Sequence, residues 1–365
     1  MKQYIWQKSD WPNFVWDNQK LLVPLGQCRL LQGKLLSTLS PSFSTEPMIQ
    51  AEVLTQEALK TSAIEGEDLD IKSVRSSVAR KLGLSYPKYQ NDKKIDGLIT
   101  VLFEATNEVD TPFTAERLFS WHRHLFSSAR SEMQTIEVGK YRDIHIQVVS
   151  EKKGHEKIHF EGPPSAVIHK EMKIFFQWFK KSHGNIEGII RAGISHFWFV
   201  TIHPFEDGNG RLARAITDMA LAQDDKQTIR YYSMSAQIMR EREKYYHILE
   251  RSQKNSCDIT EWLLWFIDSF SCSIEYSQEI LRSVFAKTNF LKSHDTDTLL
   301  PRQKKVINKL LDLTNRFKGG LNTQKYASIT KTSRATAFRD LDDLVARGIF
   351  IRIGQGRTAR YELKW

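Results

Sequence analysis

Apolar residues recur at helical spacing through most of this chain. Leu30, Leu31, Leu35 and Leu36 keep the three-and-four rhythm, and 49–62 resumes it after Pro47. A polar stretch at 85–94 interrupts the pattern and reads as a loop. Beyond it the periodicity predicts helices over 95–107, 114–126, 165–181, 186–200, 211–222 and 260–279, with Thr114 and Thr260 as N-caps. One segment changes period. Ile144 to Val149 alternates, Lys152, Lys153 and Gly154 supply a turn, and 157–160 returns, which predicts a β-hairpin inside a helical domain. Pro163 and Pro164 then open the next helix. The aromatic opening (Trp6, Trp11, Phe14, Trp16) is too apolar for a free tail and is expected to pack on the first helical layer.

The last part of the chain is organised differently. Residues 289–300 are polar and read as a linker. After them come three short helical stretches, 303–313, 323–329 and 333–346, and two strands, 348–353 and 360–363, around Gly354 and Gly356. Three helices and a hairpin predict a winged helix-turn-helix. The expected fold is mainly α: an N-terminal helical region (1–94), a helical core with a hairpin (95–288), the linker (289–300) and the winged helix (301–365).

Charge sharpens this division. The chain has 365 residues and a net charge of +10, and 15 of its 53 Lys+Arg but only 5 of its 43 Asp+Glu lie within 301–365. The remaining residues balance, so the basic excess belongs to the C-terminal module, which is expected to face something acidic. No apolar run reaches the roughly 20 residues of a membrane span, and the first residues show no export signal. Three scattered cysteines (Cys28, Cys257, Cys272) form neither a disulfide framework nor a Cys-rich metal site. A cytoplasmic location is expected.

The candidate chemistry lies at 203–214, between two predicted helices. Gly208 and Gly210 permit close backbone approach, and the amides opening the following helix favour an anion. Arg211 and Arg214 lie three apart and can grip outer phosphates. Asp207 offers a hard oxygen suited to Mg²⁺, and His203 can take a proton near neutral pH. Phe205 is expected to anchor the loop in the core. A helix–helix turn would explain any one of these residues; base, acid, two glycines and two arginines within twelve residues point to phosphate chemistry.

The segment resembles the signature of the Fic family, His-x-Phe-x-(Asp/Glu)-Gly-Asn-Gly-Arg-x-x-Arg, at every fixed position. That resemblance implies transfer of AMP from Mg·ATP to a Ser, Thr or Tyr hydroxyl of a target protein or of the chain itself. His203 would be the base and Asp207 the Mg²⁺ ligand. Gly208, Asn209, Gly210, Arg211, Leu212, Ala213 and Arg214 would hold ATP. The hairpin within 144–160 falls where the family carries a flap that holds the target chain, although a plain structural hairpin reads equally well. Tyr245, and less so Tyr246, sits where the family places an aromatic near adenine. Thr61, Glu65 and Gly66 match the family's inhibitory pattern (Ser/Thr)-x-x-x-Glu-(Gly/Asn), which implies that Glu65 pairs with Arg214 and blocks its grip on the γ-phosphate.

Two other readings stay open. On the same fold the reaction could be removal of AMP, or transfer of another phosphate-containing group. The winged helix could make the chain a DNA-binding regulator through Arg334 and Arg339, with Lys304, Lys305, Arg357 and Arg360 on phosphates. Asp340, Asp342 and Asp343 on the same helix weigh against that, and protein contact is the alternative use. A homodimer is plausible from the large apolar faces of the core. His122, His124 and His196 read as structural, and His155 and His159 lack partners for a zinc set.

Overall fold

Every residue of one helix, Gly188–Ile202, is buried, and the other elements of the larger of two compact units are arranged around it. A helix buried on all sides has to be central. The computed structural model describes residues 3–39, 46–87, 89, 91–127, 136–152, 155–225, 230–294, 298–311, 320–356 and 359–364. Lys153, Gly154 and Arg357 lie outside them.

After a short 3-10 turn at Ile5–Gln7, the order is α1 (Asn18–Leu39), α2 (Glu46–Ile64), α3 (Ile71–Lys81), α4 (Lys93–Asn107) and α5 (Ala115–Leu125). Strands β1 (Gln147–Lys152) and β2 (His155–Glu161) follow, then α6 (Ser165–Ser182), α7 (Gly188–Ile202), α8 (Asn209–Asp225), α9 (Met234–Arg240), α10 (Arg242–Gln253) and α11 (Thr260–Ser293). The chain ends with α12 (Pro301–Leu310), α13 (Thr323–Thr330), α14 (Arg334–Ala346), β3 (Phe350–Ile353) and β4 (Arg360–Leu363). The two compact units are Met1–Ser277 and Gln278–Trp365.

Several sequence expectations are corrected. Helix α11 continues to Ser293, so the segment read as a linker begins as its last turns. Thr260 is itself helical, and the capping acceptor is Asp258, whose Oδ1 takes the Thr260 N–H at 2.9 Å. Thr114 does cap α5, accepting from Arg117 N. The hairpin starts at Gln147, later than the alternation from Ile144 suggested, because Arg142 takes the Ile144 carbonyl at 2.7 Å. Helices α9 and α10 were absent from the expected set.

The aromatic opening packs elsewhere than on the first helices. Trp11 and Phe14 meet Trp198 of α7 edge-on, at 6.3 and 5.5 Å. Trp6 Nε1 donates to the Glu161 carbonyl of β2 at 2.8 Å. The opening therefore ties α7 to the hairpin.

Helix α2 is seated by a buried polar cluster. Glu57 accepts from Ser233 Oγ at 2.6 Å and from both the N–H and the hydroxyl of Ser235 at the start of α9. Arg230 lies between Glu57 (3.8 Å) and Asp218 of α8, with which it forms a close ion pair. All three charged side chains are almost wholly buried.

The smaller unit has its own apolar centre, including Val306, Tyr326, Leu341, Leu344 and Phe350. Strands β3 and β4 pair antiparallel, Phe350 opposite Leu363. The loop before α13 joins them, Tyr361 N–H donating to the Leu321 carbonyl.

Candidate active site

Helix α7 ends at His203, which adopts a left-handed backbone (φ 51°, ψ 60°). That region is costly for a residue with a side chain, so its use here marks a position fixed by surrounding contacts. His203 N–H donates to the Phe199 carbonyl at 3.0 Å. Its own carbonyl accepts Arg142 Nε at 2.7 Å. Its Nδ1 lies 3.1 Å from the Val200 carbonyl. Since a carbonyl only accepts, Nδ1 carries the proton and Nε2 keeps its lone pair. Burial pushes the imidazole down to about 4, so it is neutral at physiological pH.

The loop is stapled from within. Asn209 donates through Nδ2 to the Phe205 carbonyl (2.8 Å) and accepts the Phe205 N–H (2.9 Å). The Asn209 side chain is thus spent on loop shape, and only its backbone remains for a ligand. Leu212 and Ala213 are corrected similarly. Both are wholly buried, and Leu212 N–H is committed to the Gly208 carbonyl. The amides left to an anion are those of 209–211. Gly208 has φ +80°, and a Cβ there would also meet the Phe126 ring at 2.9 Å.

Two side chains hold the loop from outside, and the sequence reading gave neither this role. His122 accepts the Gly139 N–H on Nδ1 (3.0 Å), so Nε2 is the donor to the Asp207 carbonyl (3.2 Å), while its ring stacks on Phe205 at 4.1 Å. Arg142 is buried and donates to three carbonyls: His203, Ile144 and Pro163. It therefore joins the His203 loop to both ends of the hairpin. Neither residue lies in a recognisable motif, so no local signal exposes it.

Arg211 and Arg214 are both buried. Arg214 donates Nη2 to Glu65 Oε1 at 2.6 Å and Nε to Thr61 Oγ1 at 2.7 Å. Glu65 Oε1 also lies against Gly210, in the space a Cβ would take at the first turn of α8. The carboxylate thus occupies the anion seat that the free amides and the arginine define. Burial pushes the Glu65 carboxyl up, but Arg214, with help from Arg211 and His203, outweighs this and holds it below its usual range. Gly66 follows with φ +86°, which lets α2 stop there. A second carboxylate went unnoticed in the sequence: Glu67 Oε2 is 3.5 Å from Arg211 Nη1, and Glu67 Oε1 is 3.0 Å from Lys94 Nζ. Arg211 Nε and Arg214 Nη1 are buried with no acceptor among the described residues, donors that an additional anion would take.

Asp207 carries the carboxylate open to a cation. It is exposed, its Oδ1 accepts the Gly208 N–H at 2.5 Å, and its Oδ2 is 3.7 Å from Arg211. A hard, exposed oxygen at the mouth of an anion seat fits a Mg²⁺ shared with phosphates.

Burial separates the two tyrosines. Tyr245 is buried, its hydroxyl 3.0 Å from His196 Nε2 and its ring against Trp265. Tyr246, one residue on and so on a different helix face, is half-exposed and stands over Arg242 beside the Ile64 carbonyl. His196 is a satisfied core histidine, bonded also to Thr217 at 2.9 Å.

A left-handed histidine, a stapled loop and an arginine-lined helix start come together where α7 meets α8. Residues 112–221 match the model of the Fic/DOC family, and residues 4–84 match a domain of unknown function, DUF4172. The chain is 26% identical over 194 residues to Protein adenylyltransferase Fic of Nematostella vectensis, covering 52% of this chain and 42% of that protein. It is 23% identical over 236 residues to the protein of the same name from Drosophila ananassae, covering 64% and 43%. The chain thus spans less than half the length of these curated relatives. A crystal structure of a Fic family protein from Desulfovibrio desulfuricans G20 superposes with a TM-score of 0.54 at 16% identity, over 94% of this chain and 96% of that one. Fic-1 from C. elegans gives 0.51 at 17%, over 72% and 74%. Residues 112–221 are thus similar to the Fic/DOC family, and the helical fold is that of these structures.

Proposed function

We propose that this chain is a protein adenylyltransferase held in an inhibited state by its own α2. The observation that carries the reading is the juxtaposition of a neutral His203, its Nε2 unprotonated, with an arginine-lined anion seat that Glu65 fills. In the reaction a target hydroxyl gives its proton to His203 Nε2 and its oxygen attacks the α-phosphorus of ATP. The bond from that phosphorus to the bridging oxygen breaks, and pyrophosphate leaves. Arg211 and Arg214 and the amides of 209–211 would hold the phosphates. Asp207 would hold Mg²⁺, which when bound neutralises phosphate charge. Arg142 and His122 position the loop. Removal of AMP is less well supported, because Glu65 is committed to Arg214.

The hairpin suits a target chain. Among the described residues it has two strands, so an edge is open to strand addition, and Ile144, Val149 and Ile158 are exposed around it. Among the described residues no helix is long and apolar enough to cross a membrane.

The test is incubation of the purified chain with Mg²⁺ and ATP labelled at the α- or the γ-phosphate. Label from the α-position alone is expected on protein, and none with His203→Ala. Label from the γ-position, or equal labelling by His203→Ala, would sink the assignment.

A pH profile gives a second check. With the histidine pushed down to about 4 by burial, the base stays unprotonated until the medium nears that value. The acid limb of kcat/KM for Glu65→Gly should therefore fall well below pH 6. A limb near 6.5 would mean that another group is the base.

A further inference from the structure

The smaller unit carries the whole basic excess of the chain, yet its second helix-turn-helix segment bears three aspartates that appear to cancel it in the sequence. The structure buries one of them and ion-pairs a second. Asp340 is buried, held by Arg302 through both carboxylate oxygens (2.6 and 2.9 Å) and by Tyr326 Oη at 3.1 Å. Asp343 is turned to Arg347 Nε at 2.9 Å and Gln303 Nε2 at 2.8 Å. These acids fasten α14 to α12 and to the chain that follows it. The face they leave exposed is Arg334, Ala335, Phe338, Arg339 and Asp342, at spacings that put them on one stripe.

The local geometry presents the start of that stripe. Helix α13 ends with Lys331 in the left-handed region (φ 55°), and Ser333 caps α14 by accepting the Thr336 N–H at 3.1 Å. Three residues thus separate the helices, as in a helix-turn-helix whose second helix reads a groove with its N-terminal residues. Arg334 sits on the first turn with Phe338 and Arg339 one turn on. The arginines can address phosphates or guanine edges, and the ring a thymine methyl. Lys331 beside the turn, and Arg352 on the wing, are exposed.

We infer that the winged helix binds duplex DNA through Arg334, Phe338 and Arg339, a second function independent of AMP transfer. Charge complementarity selects this occupant: Asp340 is buried and Asp343 is ion-paired with Arg347, which leaves Asp342 against Arg334 and Arg339 on the exposed stripe of a strongly basic unit, and a polyanion gains most from it.

The test uses the full chain and a labelled pool of random duplexes of about 20 base pairs, followed by anisotropy from about 50 mM salt upward. Binding that weakens linearly on a log–log salt plot is expected, and Arg334→Glu/Arg339→Glu should weaken it at least about tenfold. Lys170→Glu/Lys173→Glu on α6, exposed residues giving the same change in net charge, should bind as the parent does. Unchanged circular dichroism would show that both variants fold. Absence of duplex binding at the lowest salt would overturn the inference and leave protein as the ligand of this face. Equal losses in the two double variants would also overturn it, since charge alone would then be responsible.

Discussion

Glu65→Gly is expected to raise AMP transfer by about 100-fold over the parent chain. The estimate rests on geometry: with the carboxylate in the seat at Gly210 and on Arg214, ATP binds with its phosphates displaced, and a misplacement of about 1 Å costs on the order of 100-fold. Glycine removes the carboxylate and leaves Arg214 and the first-turn amides to the nucleotide. The Glu67 contact makes a finer expectation. Glu67→Ala alone should raise the rate only slightly, because its 3.5 Å approach to Arg211 is shared with Lys94. The double variant should exceed Glu65→Gly, since both arginines are then released. Initial rates with α-labelled ATP decide it; a Glu65→Gly rate equal to that of the parent would remove the inhibitory role. Mild acid is not expected to mimic the variant. Glu65 is held below the usual carboxylate range, so its pairing persists at neutral pH and is lost only as pH falls through that lowered value.

Arg230→Met should cost about 3–5 kcal/mol of stability in the larger unit. The guanidinium is the shared partner of Asp218 and lies 3.8 Å from Glu57, all three nearly inaccessible to water. Methionine has a similar reach but no charge, so two carboxylates would remain buried without a cation. Thermal unfolding followed by far-ultraviolet circular dichroism measures this. A midpoint within a degree or two of the parent would show that the cluster is not an ion-paired core. Because Glu57 seats α2, the variant should also label itself faster below its melting point.

The helical core and the His203 loop were legible because each has a local signal: apolar periodicity for α4 to α8, and a run of chemically matched residues for the loop. The three short helices and the strand pair of the smaller unit were legible from the turn residues between them. What escaped were roles that depend on contacts distant in sequence. Arg142 and His122 act on carbonyls more than 60 residues away, and an isolated Arg or His carries no mark of that. Asn209, Leu212 and Ala213 were assigned to the ligand because they fall within the motif; burial and the Phe205 staple show which of their groups remain available. Tyr245 and Tyr246 differ by one helix step, which periodicity in a polar stretch could not phase. The three acids of α14 looked equivalent in the sequence, but Asp340 is buried and Asp343 is paired with Arg347.

The seat at Gly210 has one more implication. Its occupant is tethered, so its local concentration is fixed by the chain and unaffected by dilution. Arg214 is free only for the fraction of time that the end of α2 is lifted away, a local opening with its own free energy. The basal rate of the parent chain and the amide exchange of residues 64–66 therefore report the same equilibrium. A condition that doubles one without changing global stability should double the other.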